Sequence, residues 1–355
     1  MSTPVYITSA AAWIPPAESA KEAVADGRYV AEDFTTNNIL CLPVASDEIS
    51  VPDMAVIAGR RALDRAVDVV GGQVDLIVHA SLYHQGRDWG WTSAPYIQRA
   101  LAITDATSVN VEQCSNGGMV ALDMAVAMLE AGRGASAMVT TADRFAAPTL
   151  NRWRGAYGIV GGDGATAMVL STQSGFARVV AVDSLTDASL EPLWRGSEPF
   201  TSAYGEVAHD LRAPKKSYLE EVGKESVLRR CEDALVTLVR SVLKKTGHQI
   251  DDFAKILMPN MGHGLMAVQF LKPLGITSER TLMDWGRYTG HMGAGDLIAG
   301  VARLVEKKQL SQGDHVLLVS AGGGYSLTAA VLEIESVPEW PEATTDFALP
   351  ADVTE

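Results

Sequence analysis

The sequence predicts an α/β protein built from two similar halves fused into one body. Three observations carry that expectation. Short Val/Ile/Leu-rich segments alternate with amphipathic helical ones, the pattern of mostly parallel sheets covered on both faces. The order of segments in the first half recurs in the second. A length of 355 residues, at about 150 per domain, suits two domains or one double-sized unit. The composition, 47 % hydrophobic and 20 % charged, is that of a globular chain and speaks against a disordered or fibrous one.

Taken in order, apolar spacing predicts a helix from about Val51 to Val70 and a buried strand in VDLIVHASLY. A short helix, SAPYIQRALAI, and a strand, TSVNVEQ, lead to Cys114. A long helix begins near Ser115, carries Met119, Leu122, Ala125, Val126 and Leu129 on one face, and stops at Gly132 and Gly134. The strands ASAMVTTADRF and GATAMVLS close the first half. In the second, a helix with Leu228, Ala234, Leu235, Leu238 and Val242 precedes the strand FAKILMPN and the helix GLMAVQFLKPLG. RTLMDWGRYTGHMG reads as a strand and a turn. AGDLIAGVARLVEKK reads as a helix, and HVLLVSAGG and LTAAVLEIE as strands. The resulting division is 1–175 for the first half, 176–217 for an irregular connection that reads as a strand plus a long loop, 218–336 for the second half and 337–355 for a loosely ordered tail, acidic and rich in Pro.

Charge and cysteine content exclude several functions. Lys plus Arg number 29 and Asp plus Glu 43, so the net charge is −14. A surface this acidic disfavours nucleic acid or an anionic membrane as partner. Cys41, Cys114 and Cys231 include no CxxC pair, which argues against a disulfide framework or a zinc site and for a reducing, cytoplasmic setting. The histidines show no metal-ligand spacing. No basic leader precedes a long apolar run, and no segment of about 18 apolar residues occurs, so neither a signal peptide nor a membrane span is expected.

In the duplicated pattern, Cys114 and His291 stand at corresponding strand-to-helix turns, which a pseudo-twofold axis brings together. Sites form at such carboxyl ends of strands. A thiol at a helix start faces unpaired N–H groups that favour thiolate, although a free cysteine is also a common buried hydrophobe. Here the residues reach a resemblance. VNVEQCSNGGMVALDMA resembles the nucleophile segment of the β-ketoacyl-acyl-carrier-protein synthase III family, which has the thiolase fold. GGDGATAMVLS is similar to that family's GDGAGAVVL segment and AGGGYSLTAAVLE to its glycine-rich ending. YITSAAAWIP is a weaker match to its first strand. The resemblance implies a thiolase-like fold, each half a mixed sheet with covering helices, layered α-β-α-β-α. It also implies Cys114 as the acyl-accepting nucleophile, with the backbone N–H groups of Cys114 and Gly323 as the oxyanion hole.

The chain departs from the family's Cys, His and Asn set. MPNMGHG stands where PHQAN is expected, so Asn260 takes the His place. TGHMGAGD stands where the GNT segment is expected, so His291 takes the Asn place. The exchange keeps an imidazole and a carboxamide while moving the base to the other side. His263 is a rival base that also suits the first turn of its helix. Asp296 suits a helix N-terminus, and a Cys–His–Asp relay through Asp296 or Asp284 stays open. Trp89 and Trp91 match a region that in the family sends a bulky residue across a dimer interface into the acyl pocket, with Trp91 the better placed. Arg152/Arg154 and Lys215/Lys216 lie in loop-like stretches suited to a phosphopantetheine arm or an acidic carrier.

These features lead to an acyltransferase. It would load Cys114 from an acyl-carrier-protein or CoA thioester, without a bound cofactor or metal. It would then pass the acyl group to a hydroxyl or amine acceptor of sugar or aminocyclitol type, as relatives in antibiotic pathways do. A homodimer is expected. Decarboxylative condensation and a non-catalytic partner protein are the alternatives.

Overall fold

The computed structural model describes residues 3–87, 90–148, 150–197, 200, 211–342 and 347–354. Its strands are β1 (Tyr6–Trp13), β2 (Ala17–Ser19), β3 (Cys41–Pro43), β4 (Leu76–Ala80), β5 (Thr107–Val111), β6 (Ser136–Asp143), β7 (Gly164–Ser171), β8 (Ala177–Thr186), β9 (Lys255–Leu257), β10 (His315–Gly322) and β11 (Ser326–Ile334). Nine of them hydrogen-bond in the order β5-β4-β6-β7-β1-β8-β11-β10-β9, and β2 and β3 form a separate ribbon. In the first half β4 runs parallel to β5 and β6, β6 antiparallel to β7, and β7 antiparallel to β1. The second half repeats this: β9 parallel to β10, β10 antiparallel to β11, β11 antiparallel to β8. The two halves of the sheet touch through Tyr6 with Arg178 and Ile7 with Ala177.

Alternation along the strands builds the layers, because successive side chains point to opposite faces. Ile77, Met138, Ala167 and Val169 pack with the helix Val51–Arg65 on the outer face. Val78, Val139, Met168 and Leu170 point the other way, into a cluster with Leu122 and Val126 of the helix Gly117–Glu130 and Leu297 and Val301 of the helix Asp296–Glu306. The second half mirrors this. Leu317, Val319, Ala329 and Val331 pack on the helix Lys224–Thr246, while Val316, Leu318, Ala330 and Leu332 join the inner cluster. The two inner helices therefore lie between the half-sheets, with outer helices beyond. This is the α-β-α-β-α layering of a thiolase-like fold.

Two segments, the one before His291 and the tail, differ from expectation. RTLMDWGRYTGHMG contains no strand. It forms the helix Met283–Thr289, and the buried Trp285, Gly286 and Thr289 with Leu282 follow an i, i+3, i+4, i+7 spacing. Among the described residues, the second half shows no counterpart of β5. The stretch 176–217 opens with the expected strand, β8, which pairs with β11 from Ala177 to Thr186, and it closes with the start of the helix Arg212–Val222. The tail is packed. Trp340 sets its ring edge-on to Phe176 at 5.2 Å, and Phe347 is buried with Ile14, Trp285 and Met292.

Candidate active site

Two turns meet between the inner helices. The first follows β5: a 3-10 turn, Cys114–Asn116, runs into the helix Gly117–Glu130. Cys114 has φ 47°, in the left-handed region that a side chain adopts only when its surroundings hold it there. The second turn carries His291 between the helices Met283–Thr289 and Asp296–Glu306. A Cβ on Gly118 would stand 2.3 Å from the Ala294 carbonyl oxygen, so only glycine lets the two helix starts approach this closely.

Val160 and the GGDG segment after it hold the histidine's backbone. The His291 N–H donates to the Val160 carbonyl at 2.9 Å, and the Gly162 N–H donates to the His291 carbonyl at 3.0 Å. Asp163, fully buried, anchors that segment by accepting from the N–H groups of Ala45 (2.9 Å) and Phe145 (2.8 Å) and from Arg152 at 2.8 and 3.1 Å.

The side chains form a relay. His291 is buried, and its Nδ1–H donates to Asp296 Oδ2 at 2.6 Å. The Asp296 carboxylate is itself fixed by the N–H groups of Asn260 (2.8 Å) and Met292 (2.7 Å). On the other side of the ring, Nε2 lies 2.7 Å from Ser115 Oγ. Burial opposes charge on His291, but the charge and hydrogen bond of Asp296, with the charge of Asp143 behind them, hold its pKa above the ordinary histidine value. Asp143 is buried at the end of β6 and accepts from the N–H groups of Leu82, Tyr83 and Ala294; burial pushes its pKa up to about 6.

The thiol does not follow the helix-start expectation. Burial first, then the negative charge of Asp143, push Cys114 up, and the hydrogen bond from the Gly323 N–H only partly offsets them. The resting group is a thiol that needs a base. Gly323 sits against it: a Cβ there would lie 2.9 Å from Cys114 Sγ. Cys114, Ser115, His291 and Gly323 open into one cavity of ≈ 280 Å³, whose walls include Tyr83, Phe145, Ile159 and Trp194.

The other candidates are placed as follows. The Asn260 side chain donates to Thr289 Oγ1 at 3.0 Å and lines a separate recess, so the backbone N–H of Asn260, rather than its amide, serves the relay. His263 heads the helix His263–Met266, its Nδ1 3.2 Å from Asn38 Nδ2, in a different wall of the molecule. Its pKa is lowered, by burial first and also by Arg287. Arg152 lines the cavity, but its guanidinium is committed to Asp163 and Gly161. Arg154 donates to the carbonyls of Arg28 and Gly27. Lys215 sits 4.7 Å over the Trp194 ring, and the exposed Lys216 approaches Glu220 at 3.8 Å. Trp91 lies 6.3 Å from Tyr96 on the surface beside β5, and Trp89 is outside the described residues. Sequence reasoning missed Ser115 and Asp143. Adjacency to Cys114 marks the first only in hindsight, since spacing does not reveal which hydroxyl meets an imidazole 176 positions away.

Comparison with known proteins bears on the fold and the family. The model of 3-oxoacyl-acyl-carrier-protein (ACP) synthase III matches residues 109–188, and the model of its C-terminal part matches residues 243–334. The beta-ketoacyl-acyl-carrier-protein synthase III of Clostridium perfringens (strain SM101 / Type A) is 24 % identical over 292 residues, 82 % of this chain and 86 % of that protein. Synthase III 5 of Streptomyces coelicolor is 27 % identical over 304 residues, covering 84 % and 86 %. Among solved structures, the acyltransferase ChlB3 superposes with a TM-score of 0.88 at 31 % identity, over 94 % of this chain and 98 % of that one. The synthase III of Pseudomonas aeruginosa PAO1 shares the fold with a TM-score of 0.75 at 19 % identity, over 94 % and 99 %. Two fused α/β halves with a cysteine turn facing a histidine turn define an acyl-transferring enzyme of thiolase-like fold. The chain belongs to the 3-oxoacyl-acyl-carrier-protein synthase III family.

Proposed function

We propose that the chain is an acyltransferase in secondary metabolism that moves an acyl group from a carrier-protein or CoA thioester, through Cys114, to a hydroxyl or amine of a small sugar- or aminocyclitol-like acceptor. The observation that carries the reading is the position of the base. His291 stands on the Asp296 side of the site, and the place where the family's condensing members keep a histidine holds Asn260, whose amide bonds Thr289. The similarity to ChlB3 supports the same reading.

Cys114 attacks the donor carbonyl, and the oxyanion that develops is met by the N–H groups of Cys114 and Gly323. The donor thiol leaves with a proton, and the acyl group rests on Cys114 as a thioester. His291, oriented and made more basic by Asp296, then accepts the acceptor's proton as its oxygen or nitrogen attacks. A homodimer fits β5, which ends the sheet with one edge unpaired among the described residues. Trp91 beside it would then reach toward the partner's acyl pocket. Lys215 at the Trp194 wall is the cation best placed for a pantetheine phosphate or an acidic carrier.

Condensation with a malonyl thioester is the second reading, favoured by the names of the curated relatives. Intact-mass measurement against a panel of acyl-CoA and acyl-carrier thioesters, followed by malonyl, hydroxyl and amine acceptors, separates the two. An acyl adduct on Cys114 that is discharged by a hydroxyl or amine acceptor supports transfer. Release of carbon dioxide with a β-keto product overturns it, and a wild-type chain that never takes an adduct overturns both.

A further inference from the structure

The imidazole in this site does not present its free nitrogen to an empty space. With Asp296 as acceptor, the neutral form of His291 carries its proton on Nδ1, and its Nε2 lone pair points at Ser115 Oγ, 2.7 Å away. The Ser115 hydroxyl must donate to it. Ser115 follows Cys114 directly in the same 3-10 turn, and both line the cavity where donor and acceptor meet. Asp296, His291 and Ser115 thus form one hydrogen-bonded line whose outer end is the hydroxyl of the residue that follows Cys114 and lines the same cavity.

We propose that Ser115 is a further catalytic residue: its hydroxyl is the relay through which protons pass between His291 and the reacting groups at Cys114. This rests on the acyl-transfer reading above. In loading, the Cys114 thiol proton moves to Ser115 Oγ while the Ser115 proton moves to Nε2. The thiolate forms its bond to the donor carbonyl carbon, the donor C–S bond breaks, and the leaving thiolate recovers a proton from Ser115, which is replenished by the imidazolium. In transfer, the acceptor's proton enters Ser115 as the Ser115 proton enters Nε2. The acceptor oxygen bonds the acyl carbon, the C–S bond to Cys114 breaks, and the relay runs backward to return the thiol. Each half-reaction begins and ends with neutral Ser115 and neutral His291, so protons and charge balance without another reactant. The arrangement also accounts for a buried base that is paired at both nitrogens: the proton reaches it along a hydrogen bond already made. The thiol, pushed up by burial and Asp143, is a group that needs such an acceptor.

The test is single-turnover loading of Cys114 by the best donor thioester in the panel above, and its discharge to glycerol. Both are followed by intact mass in mixtures of light and heavy water. In the wild type the rate should depend on the heavy-water fraction along a curve, as when more than one proton is in flight. Ser115→Ala should slow both steps by about 10²-fold and straighten the curve, while Ser115→Thr, which keeps the hydroxyl, should recover most of the rate. An alanine variant within about twofold of wild type overturns the relay, as does one that is slow but keeps the curved dependence, or a threonine variant as slow as alanine. Each of these leaves the acyl-transfer reading standing, because wild-type Cys114 would still load. Failure of wild-type Cys114 to load at all overturns that reading and the relay with it.

Discussion

Asp296 sets both the direction and the proton affinity of His291. It touches the ring directly at 2.6 Å, and two backbone N–H groups hold it in place. Its charge is the largest influence raising the histidine, against the lowering effect of burial. The base must be neutral to accept a proton, so transfer should rise with pH through a midpoint above the ordinary 6.5. Replacing Asp296→Asn removes the charge that holds the proton, and burial then dominates. The midpoint of the pH–rate profile should move down, and the plateau should fall by about 10²–10⁴-fold as the ring loses its orientation. A D296N profile with its midpoint unmoved would mean that the carboxylate does not govern His291. Motif and spacing singled out Cys114 and His291, and the fold brings the two side chains to one cavity. The carboxylate partner stayed open between Asp284 and Asp296, because only the folded turn decides which acid faces Nδ1. The Asn260 side chain misled for the same reason: a sequence position near a site says nothing about whether backbone or side chain does the bonding.

Elements explain what the motifs are for. Val160 and the GGDG segment after it lead into β7, bracket His291 by two backbone hydrogen bonds, and are tied down by the pair Arg152–Asp163. From sequence, Arg152 looked like a carrier-docking cation in a loop. In the structure its side chain is 12 % exposed and its partner's 0 %, which makes it part of the anchor. Removing one member of a buried pair leaves the other charge without compensation and costs about 3–5 kcal/mol. Arg152→Ala should therefore lower the urea-unfolding midpoint strongly while leaving the KM for the donor thioester near wild type. Arg154→Ala, which removes only bonds to surface carbonyls, should do neither. A stable R152A protein with a much raised donor KM would restore the docking role. The same scale shows why strands were legible and one helix was not. Continuous Val/Ile/Leu runs such as β4 and β10 need burial on both faces, which few other structures supply. The helix within RTLMDWGRYTGHMG is short and stops at Gly290, so its helical spacing of apolar residues competed with a strand-and-turn reading of equal length.

At the scale of the whole molecule, the repeated order of elements reflects two half-sheets that sandwich a shared pair of helices, with the reactive turns at the common seam. The pattern was visible because each half must bury its own strands, whereas what crosses between halves left no periodic trace. The tail is the clearest case. Its acidic, Pro-rich composition reads as loose, yet its aromatic residues are anchors. Trp340 lies under the Arg65 guanidinium at 4.7 Å and edge-on to Phe176, and Phe347 is 8 % exposed in a cluster with Ile14, Trp285 and Met292. The backbone follows: the Ala17 N–H donates to the Ala348 carbonyl at 2.9 Å, and Tyr288 Oη donates to the Thr354 carbonyl at 3.2 Å. Met292 adjoins His291, and Trp285 and Tyr288 belong to the helix that delivers it, so the tail braces the back of the histidine turn. Truncating a buried Phe to Ala typically costs about 3–5 kcal/mol, and the lower end applies to a ring at the rim of its cluster. Phe347→Ala should thus reduce the unfolding free energy in urea by roughly 3 kcal/mol. It should also slow both the loading of Cys114 and the discharge of acyl-Cys114, because the brace acts on the base that takes a proton in each step. A loosely attached tail would leave both the unfolding midpoint and the two rates where they are in the wild type, and that result would remove the tail from the account of the site.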